Sequence, residues 1–193
     1  MNNPLIEDKV FKQKDFTEEP LPRGDYEYCQ FINCRFFEAD LRSFRFLETS
    51  FTGCDLSVAK LHKTAFKGIV FKDCKLTGLG FDQCDPFGLD MQFEGCNLTH
   101  SSFYGLSLKG IRFIQCILEA VEFSEANLQG AVFTGSLLTN AHFDRTNLEQ
   151  ADLRSATGFS INPTINQLKK ASFSASALAG LVEVFGIKVD RSS

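Results

Sequence analysis

Residues 31–56 read FINCRFFEADLRSFRFLETSFTGCDL, and a phenylalanine or a leucine occupies every fifth position of this run. A period of five belongs neither to an α-helix, which repeats about every 3.6 residues, nor to a flat strand, which repeats about every 2. The same spacing extends in both directions along the chain, with one interruption after Phe81. The bulky positions are Tyr26, Phe31, Phe36, Leu41, Phe46, Phe51, Leu56, Leu61, Phe66, Phe71, Leu76 and Phe81, then Phe93, Leu98, Phe103, Leu108, Phe113, Leu118, Phe123, Leu128, Phe133, Leu138, Phe143, Leu148 and Leu153.

A second, compact position lies two residues before each bulky one. It usually holds a small side chain, as at Cys34, Ala39, Thr49, Cys54 and Ala59. Each five-residue unit therefore has two inward positions, one bulky and one compact. Such a unit buries its apolar side only by stacking on its neighbours, so the pattern predicts a solenoid.

Long-range identities predict four sides for each coil of this solenoid. A coil of three units would repeat after about 15 residues and a coil of four after about 20. Cysteines at compact positions are separated by 20, 20, 22 and 20 residues, and a phenylalanine column shows the same steps. The step of 22 predicts a two-residue insertion within Cys84–Met91. The two columns are Cys34, Cys54, Cys74, Cys96 and Cys116, and Phe11, Phe31, Phe51, Phe71, Phe93, Phe113 and Phe133.

Several units resemble the A(D/N)Lxx signature of pentapeptide-repeat proteins. They read ADLRS at 39–43, ANLQG at 126–130 and ADLRS at 151–155. The resemblance covers residues 24–155 and implies an all-β solenoid, the right-handed quadrilateral β-helix. We expect residues 1–23 to form a degenerate first coil or cap, residues 84–92 to contain a short loop, and residues 156–193 to form a helical cap and dimerisation segment.

Two segments are more specifically similar to bacterial albicidin-resistance pentapeptide proteins, and more distantly to the quinolone-resistance Qnr and MfpA proteins. They are residues 93–108, FEGCNLTHSSFYGLSL, and the tail from Lys169 to Val189. Proteins of this kind are cytoplasmic dimers that imitate duplex DNA and act on DNA gyrase. The resemblance thus implies a gyrase or type II topoisomerase partner, no membrane association and no direct contact with nucleic acid.

Composition and motifs argue against an enzyme. The three histidines, His62, His100 and His142, are too far apart on a four-sided coil to act as a base and its orienting partner. The Gly78-Leu-Gly80 segment lacks the third glycine of a dinucleotide-binding fingerprint. Cysteines with metal-ligand spacing are absent from the sequence. We therefore predict no catalytic residue, no metal and no cofactor.

Net charge and hydropathy restrict the remaining functions. A net charge of −4 and a pI near 5.4 argue against nucleic-acid binding, which needs a basic surface. The sequence has no apolar run of membrane-spanning length, and residues 1–8 lack the basic and apolar regions of a signal peptide. We expect a cytoplasmic protein whose seven cysteines are reduced. Five of them form the compact column, and Cys29 and Cys84 are isolated thiols of the core.

The two ends depart from the repeat. Compact positions of the first coil hold Pro4, Lys9, Lys14 and Glu19, which do not fit inside a tight coil. At the other end, Asn162 and Pro163 predict a short helix extending to about Lys170. A second predicted helix follows Ser174 or Ser176, ends at Gly186 and precedes a short strand over residues 187–190. Its apolar stripe and that strand predict a dimer contact formed by Leu178, Leu181, Val182, Phe185, Ile187 and Val189.

The distribution of charge points to one candidate binding surface. Residues 119–155 hold six acidic and two basic residues, over roughly 8 Å of solenoid, in which duplex DNA would present about five charges. The candidate DNA-mimic surface is Glu119, Glu122, Glu125, Asp144, Glu149 and Asp152. The second candidate site is the loop formed by Asp85, Pro86, Phe87, Gly88 and Asp90. Two functions stay open: a DNA mimic that binds a topoisomerase, and a structural or adaptor solenoid whose partner is unrelated to DNA.

Overall fold

The computed structural model describes residues 3–189 as a right-handed parallel β-helix of about eight coils with a short C-terminal helix. Each coil has four sides, which we number in chain order from the bulky residue at their centre. In the first four coils, the central residues of the first side are Ile6, Tyr26, Phe46 and Phe66, and those of the second are Phe11, Phe31, Phe51 and Phe71. The central residues of the third side are Phe16, Phe36, Leu56 and Leu76, and those of the fourth are Leu21, Leu41, Leu61 and Phe81. The predicted fold class is confirmed.

Parallel strands form on two of the four sides. The first side carries β1 (Leu5–Glu7), β3 (Asp25–Glu27), β5 (Arg45–Leu47) and β7 (Ala65–Lys67). The second carries β2 (Val10–Lys12), β4 (Gln30–Ile32), β6 (Ser50–Thr52), β8 (Ile69–Lys72), β9 (Met91–Glu94) and β10 (Arg112–Ile114). The other two sides are joined by single parallel bridges, such as Asp15 to Arg35 and Glu122 to His142. Near the end, β11 (Asp152–Leu153) pairs with β12 (Ser172–Phe173).

Bulky residues of one side stack directly on one another. The phenylalanine rings of the second side, from Phe11 to Phe133, are stacked with centroids 4.8 to 5.3 Å apart. Rings of adjoining sides meet edge to face, as Phe31 does with Phe36 at 5.4 Å. Each such pair adds about 0.5–1.5 kcal/mol beyond the burial of its surface. The rod therefore has a continuous aromatic and leucine core.

Compact side chains reach back to the preceding coil. The thiol of Cys54 donates to the carbonyl of Phe31 at 3.3 Å, and the thiol of Cys74 donates to that of Phe51 at 3.3 Å. Thr64 Oγ1 donates in the same way to the carbonyl of Leu41 at 2.7 Å. A small donor at this position thus binds the coil before it, which explains why cysteine, serine and threonine recur there.

The corners need a left-handed backbone two residues after each bulky position. Asn33 has φ 52° and Gly53, directly above it, has φ 64°. A Cβ at Gly53 would lie 2.2 Å from Asn33 Oδ1, so that side chain would have to move. Glycine adopts this conformation without a steric penalty, which accounts for its frequency at the corners, and most of the other corner residues are polar.

The predicted insertion is confirmed, since Phe71 pairs with Phe93 across the step of 22 residues. Its loop is held to the fourth coil by backbone bonds from Asp85 N to Thr64 O at 2.9 Å and from Asp90 N to Phe66 O at 3.0 Å. The loop occupies the first side, where the strand pairing stops at β7. On the second side, pairing passes through β8 and β9 without a break.

The ends show which local predictions hold. Lys9, Lys14, Pro4 and Glu19 are all exposed, as their size and charge require. The predicted helix from Pro163 to Lys170 is wrong: Asn162 Oδ1 accepts from Thr164 N at 2.9 Å in a tight turn, and the chain continues as a coil, with Asn147 bridged to Gln167. Stacking therefore extends beyond residue 155 to β12.

The predicted second helix is a short helical segment in three parts. A 3-10 turn at Ala175–Ala177 precedes α1 (Ala179–Val182), and a second 3-10 turn spans Glu183–Phe185. Gly186 ends the segment with φ 70°, as predicted. Residues 187–189 adopt no strand, and Asp190 of the predicted strand lies outside the described residues.

All seven cysteines are buried and free, with exposures of 5% or less. Burial raises the pKa of the Cys34 thiol, and burial together with Asp82 and Asp85 raises the pKa of Cys84 to about 12. These raised pKa values leave little thiolate at Cys34 and Cys84 at neutral pH, and the thiolate is the reactive form. The hydrogen bond with Cys74 lowers the pKa of Cys54, and those with Cys116 and Cys74 lower the pKa of Cys96, so burial is what keeps a reagent from these two thiols.

We therefore expect a thiol reagent at neutral pH to label few of the seven cysteines in the folded protein and all of them in denaturant. Cys54→Ala should cost about 1 kcal/mol of unfolding free energy, whereas Phe51→Ala should cost about 3–5 kcal/mol because it interrupts the aromatic stack. Thiol titration and chemical denaturation measure these effects. Fast labelling of most thiols without unfolding, or equal costs for the two substitutions, would contradict this account.

Candidate functional site

The histidines and glycines considered as catalytic motifs lie apart on the rod. His62 and His142 are exposed on the fourth side in coils far from each other, and His100 is exposed on the third side. Gly80 bridges Ser102 within the coils and precedes a single 3-10 turn at Phe81–Gln83, not an α-helix. Within residues 3–189 there is no group of three or more side chains placed to hold a metal ion. The same residues include no helix long and apolar enough to cross a bilayer.

The six carboxylates of the candidate acidic surface are distributed over all four sides. Glu122, Glu125 and Asp144 lie on the fourth side, around Phe123 and Phe143. Glu119 follows Leu118 on the third side, Glu149 follows Leu148 on the first, and Asp152 precedes Leu153 on the second. The structure thus brings together three of the six, which we call the fourth-side triplet.

Two of the six carboxylates are neutralised by arginines. Glu125 Oε1 lies 2.6 Å from Arg145 Nη2, one coil away. Asp152 receives bonds from both Nε and Nη2 of Arg154, at 2.9 and 2.7 Å. The hydrogen bonds from Arg145, and secondly from Tyr104, lower the pKa of Glu125, and those from Arg154 lower the pKa of Asp152.

The negative charge of the fourth side comes mainly from its two other carboxylates, Glu122 and Asp144. Glu122 Oε1 accepts from the backbone N–H of Ser124 at 2.7 Å, which holds its side chain against its own coil. In the next coil, His142 forms a parallel bridge with Glu122. Asp144 follows His142 by two residues and is exposed. Among residues 3–189, neither Glu122 nor Asp144 forms an ion pair. The triplet and Arg145 together present a net charge of −2 (three acids, one base) to a partner.

Elsewhere, charge is paired between and within coils, a feature that the sequence analysis missed. Asp15 pairs with Arg35 at 3.3 Å and Asp55 with Lys75 at 3.6 Å, all in one column of the third side. Opposite charges separated by 20 residues in the sequence would have predicted these ion pairs between coils. Further pairs join Arg45 to Asp25, Arg42 to Asp40 and Lys72 to Glu94.

The loop at Asp85–Asp90 presents one aromatic side chain to solvent. Phe87 is 78% exposed, and its ring lies 4.8 Å from Lys67 Nζ. Asp85 Oδ1 accepts from Phe87 N at 3.0 Å, which stabilises the turn. Leu89 points the other way and packs against the core. The loop is therefore a small, ordered projection next to a lysine, separate from the fourth-side triplet.

The predicted dimer contact divides into two groups. Leu181 packs against the core of its own rod, and Val182 is half-buried. Leu178, Phe185, Ile187 and Val189 are exposed, together with Val184, which the sequence analysis did not include. The segment reaches the rod through Gly180, whose carbonyl accepts from Ile161 N at 2.8 Å and whose Cβ, if present, would lie 2.3 Å from the Phe159 carbonyl. This end therefore exposes an apolar patch.

Comparison with known proteins agrees with this geometry. The family model for the pentapeptide repeat region matches residues 25–103 and 106–182. The chain is a member of the pentapeptide-repeat family. Searching the curated proteins gave no match.

Solved structures with this fold include proteins of different roles. Two trypsin-treated variants of QnrB1, described as a plasmid-mediated fluoroquinolone resistance protein, superpose on this pentapeptide-repeat protein with TM-scores of 0.59 and 0.57, at 16% and 19% identity. They cover 96% and 98% of this chain, and the matches span 99% and 92% of their own chains. HetL from the cyanobacterium Nostoc sp. strain PCC 7120, involved in heterocyst differentiation regulation, has a TM-score of 0.55 at 16% identity, covering 91% of this chain and 89% of its own. At these identities the likeness establishes the fold alone.

The ion pairs of this pentapeptide-repeat protein predict its response to acid. The arginine bonds lower the pKa values of Asp40, Glu125 and Asp152 in the folded state. A depressed folded pKa contributes stability above the unfolded pKa, at about 4, and that stability is lost as the pH falls through the folded value.

We expect the melting temperature to fall as the pH is lowered from about 5 to 3. A variant with Arg42, Arg145 and Arg154 replaced by glutamine should show a shallower fall, because its carboxylates lose their partners. Thermal melts followed by circular dichroism at several pH values make the comparison. Equal slopes for the native protein and the variant would show that these pairs do not set the acid response.

Proposed function

We propose that this pentapeptide-repeat protein is a DNA-mimic binding protein that interacts with DNA gyrase or another type II topoisomerase and modulates its response to inhibitors. The observation that supports it is the fourth-side triplet: Glu122 and Asp144 present unpaired carboxylates on a rigid wall of the rod. Carboxylates held on a rigid wall offer a basic groove the same negative charge as phosphates, and electrostatic complementarity then steers association. The role of QnrB1 in fluoroquinolone resistance is consistent with this proposal. An albicidin-resistance role is a narrower form of it.

The magnitude of the charge limits how far the mimicry extends. Over the roughly 8 Å in question, DNA presents about five charges, whereas the fourth side presents a net −2. A two-fold contact at the nearby C-terminal end would place two such surfaces on either side of the axis. We therefore propose a cytoplasmic homodimer joined through Leu178, Val184, Phe185, Ile187 and Val189, with the acidic surfaces near its centre.

The alternative is a structural or adaptor solenoid that binds a protein unrelated to DNA. Two observations favour it: pairing by arginine neutralises part of the acidity, and HetL has the same fold and takes part in regulating heterocyst differentiation. In either case the protein acts by binding, and we propose no catalytic role. Capture of gyrase on the immobilised protein, with duplex DNA added as a competitor, separates the two functions. Loss of captured gyrase on addition of DNA supports the mimic; absence of gyrase capture favours the adaptor.

The triplet gives the sharpest test of the mimic. Glu122→Gln with Asp144→Asn keeps side-chain shape and the acceptor for Ser124 N, but removes both unpaired charges. We expect this pair of substitutions to weaken gyrase binding at least about tenfold at low salt, and to reduce the salt dependence of binding. Binding isotherms at several salt concentrations measure both effects.

Glu119→Gln with Glu149→Gln is the matched control, because it removes two acidic charges from the third and first sides. It should leave gyrase binding within about twofold of the native value if the fourth side makes the contact. Equal losses for the two double variants would assign the effect to net charge. Full inhibition of gyrase supercoiling by the Glu122→Gln, Asp144→Asn protein would exclude the mimic.

The dimer has its own test in Phe185→Asp. An unpaired carboxylate at an apolar contact is penalised by several kcal/mol, so sedimentation should find a folded monomer where the native protein sediments as a dimer. Ser176→Asp, also exposed on the tail, should sediment like the native protein. If the Phe185→Asp protein keeps the native mass, the contact lies elsewhere.

A further inference from the structure

Two of the four unusual compact positions of the first coil hold lysines. Lys9 and Lys14 stand in the columns occupied one coil later by the buried Cys29 and Cys34. The backbone there is regular, because Gln30 N donates to the Lys9 carbonyl and Arg35 N to the Lys14 carbonyl, each at 2.8 Å. Only the side chains change, from small thiols to exposed ammonium groups.

The direction of these side chains follows from the rest of the column. Cys29 and Cys34 donate to the carbonyls of Ile6 and Phe11 in the coil before them, each at 3.4 Å. Compact side chains thus lean toward the N-terminal end of the rod. In the first coil, the same direction carries Lys9 and Lys14 into the space that a further coil would occupy.

The edge beneath these lysines is otherwise suited to pairing. Strands β1 and β2 are the edge strands of their sheets, each paired on one side only. Leu5 and Val10 on them are more than half exposed, and the ring of Phe11 is stacked on Phe31 at 4.8 Å along one of its two faces. Unpaired edge strands with apolar side chains attract further strands, and natural proteins oppose this with inward-pointing charges.

We propose that Lys9 and Lys14 close the N-terminal end of the rod against a second copy of this chain. A coil docked on β1 and β2 would bury two ammonium groups without partners, which is strongly unfavourable. The excluded contact is between two N-terminal ends, because Gly180 and Leu181 of the helical segment pack on the opposite end. Such a contact would be two-fold symmetric, with β1 of each copy meeting β2 of the other.

The test replaces both lysines by the alanine that other compact positions already hold. We expect the Lys9→Ala, Lys14→Ala protein to associate reversibly through this end, so that its weight-average mass at high concentration is at least double that of the native protein. Sedimentation equilibrium over a range of concentrations measures the mass, and far-ultraviolet circular dichroism reports whether the β-helix is intact.

The matched control is Lys12→Ala with Lys60→Ala. It also removes two exposed lysines and gives the same net charge, but both side chains point outward from the coils. This protein should keep the native mass at every concentration. Equal association of the two double variants would overturn the proposal, since net charge would then be the cause.

A folded Lys9→Ala, Lys14→Ala protein with native mass would also overturn it. If that variant loses its β-helix spectrum, Lys9→Ala and Lys14→Ala are measured singly in the same way. Concentration-dependent association of at least one folded single variant is then the expected result. Native mass for both folded single variants would show that the lysines do not guard this end.

Discussion

The structure depends on register: each coil places its backbone and its bulky side chain directly over those of the coil before. Hydrogen bonds join every coil to the next, and the rings of the second side stack without a break from Phe11 to Phe133 at centroid distances of 4.8 to 5.3 Å. Because contacts are made almost entirely between neighbouring coils, stability accumulates along the rod one coil at a time. The compact residues strengthen the same register, since their thiols and hydroxyls donate to the preceding coil.

In this fold the identity of the outward-facing residues is little constrained by the packing of the core. Three of every five side chains point to solvent, and the columns they form bring residues 20 apart into contact. The protein uses some columns for ion pairs, such as Asp15 with Arg35, and leaves others unpaired, such as that of Glu122. A charged binding surface on this fold therefore forms where the side chains of a column have no oppositely charged partner. The fourth side near Phe123 is such a surface, whereas Arg145 and Arg154 restrict its strength.

The sequence was sufficient for the fold because the core has a strict period. Equal steps in the cysteine and phenylalanine columns determined four sides and located the insertion before Phe93, and the register of β8 with β9 agrees. The helix expected after Asn162 failed because an asparagine before a proline caps a helix and a tight turn by the same side-chain bond, and the bridge between Asn147 and Gln167 favoured the coil. Assigning carboxylates to sides follows from counting in fives. Which of them are paired depends on side-chain conformations across coils, and the sequence alone does not show these for Glu125 or Asp152.

The interchangeability of the four sides has a consequence for how such surfaces change. Since phenylalanine and leucine serve every side, loss of one five-residue unit leaves the stacking rules intact. It does, however, rotate everything downstream by a quarter turn about the rod axis. Glu122 would move from the fourth side to the third, and its neighbours in the adjacent coil would be exchanged. A deletion of five residues would therefore realign whole columns of surface charge, while the interior would still alternate bulky and compact side chains.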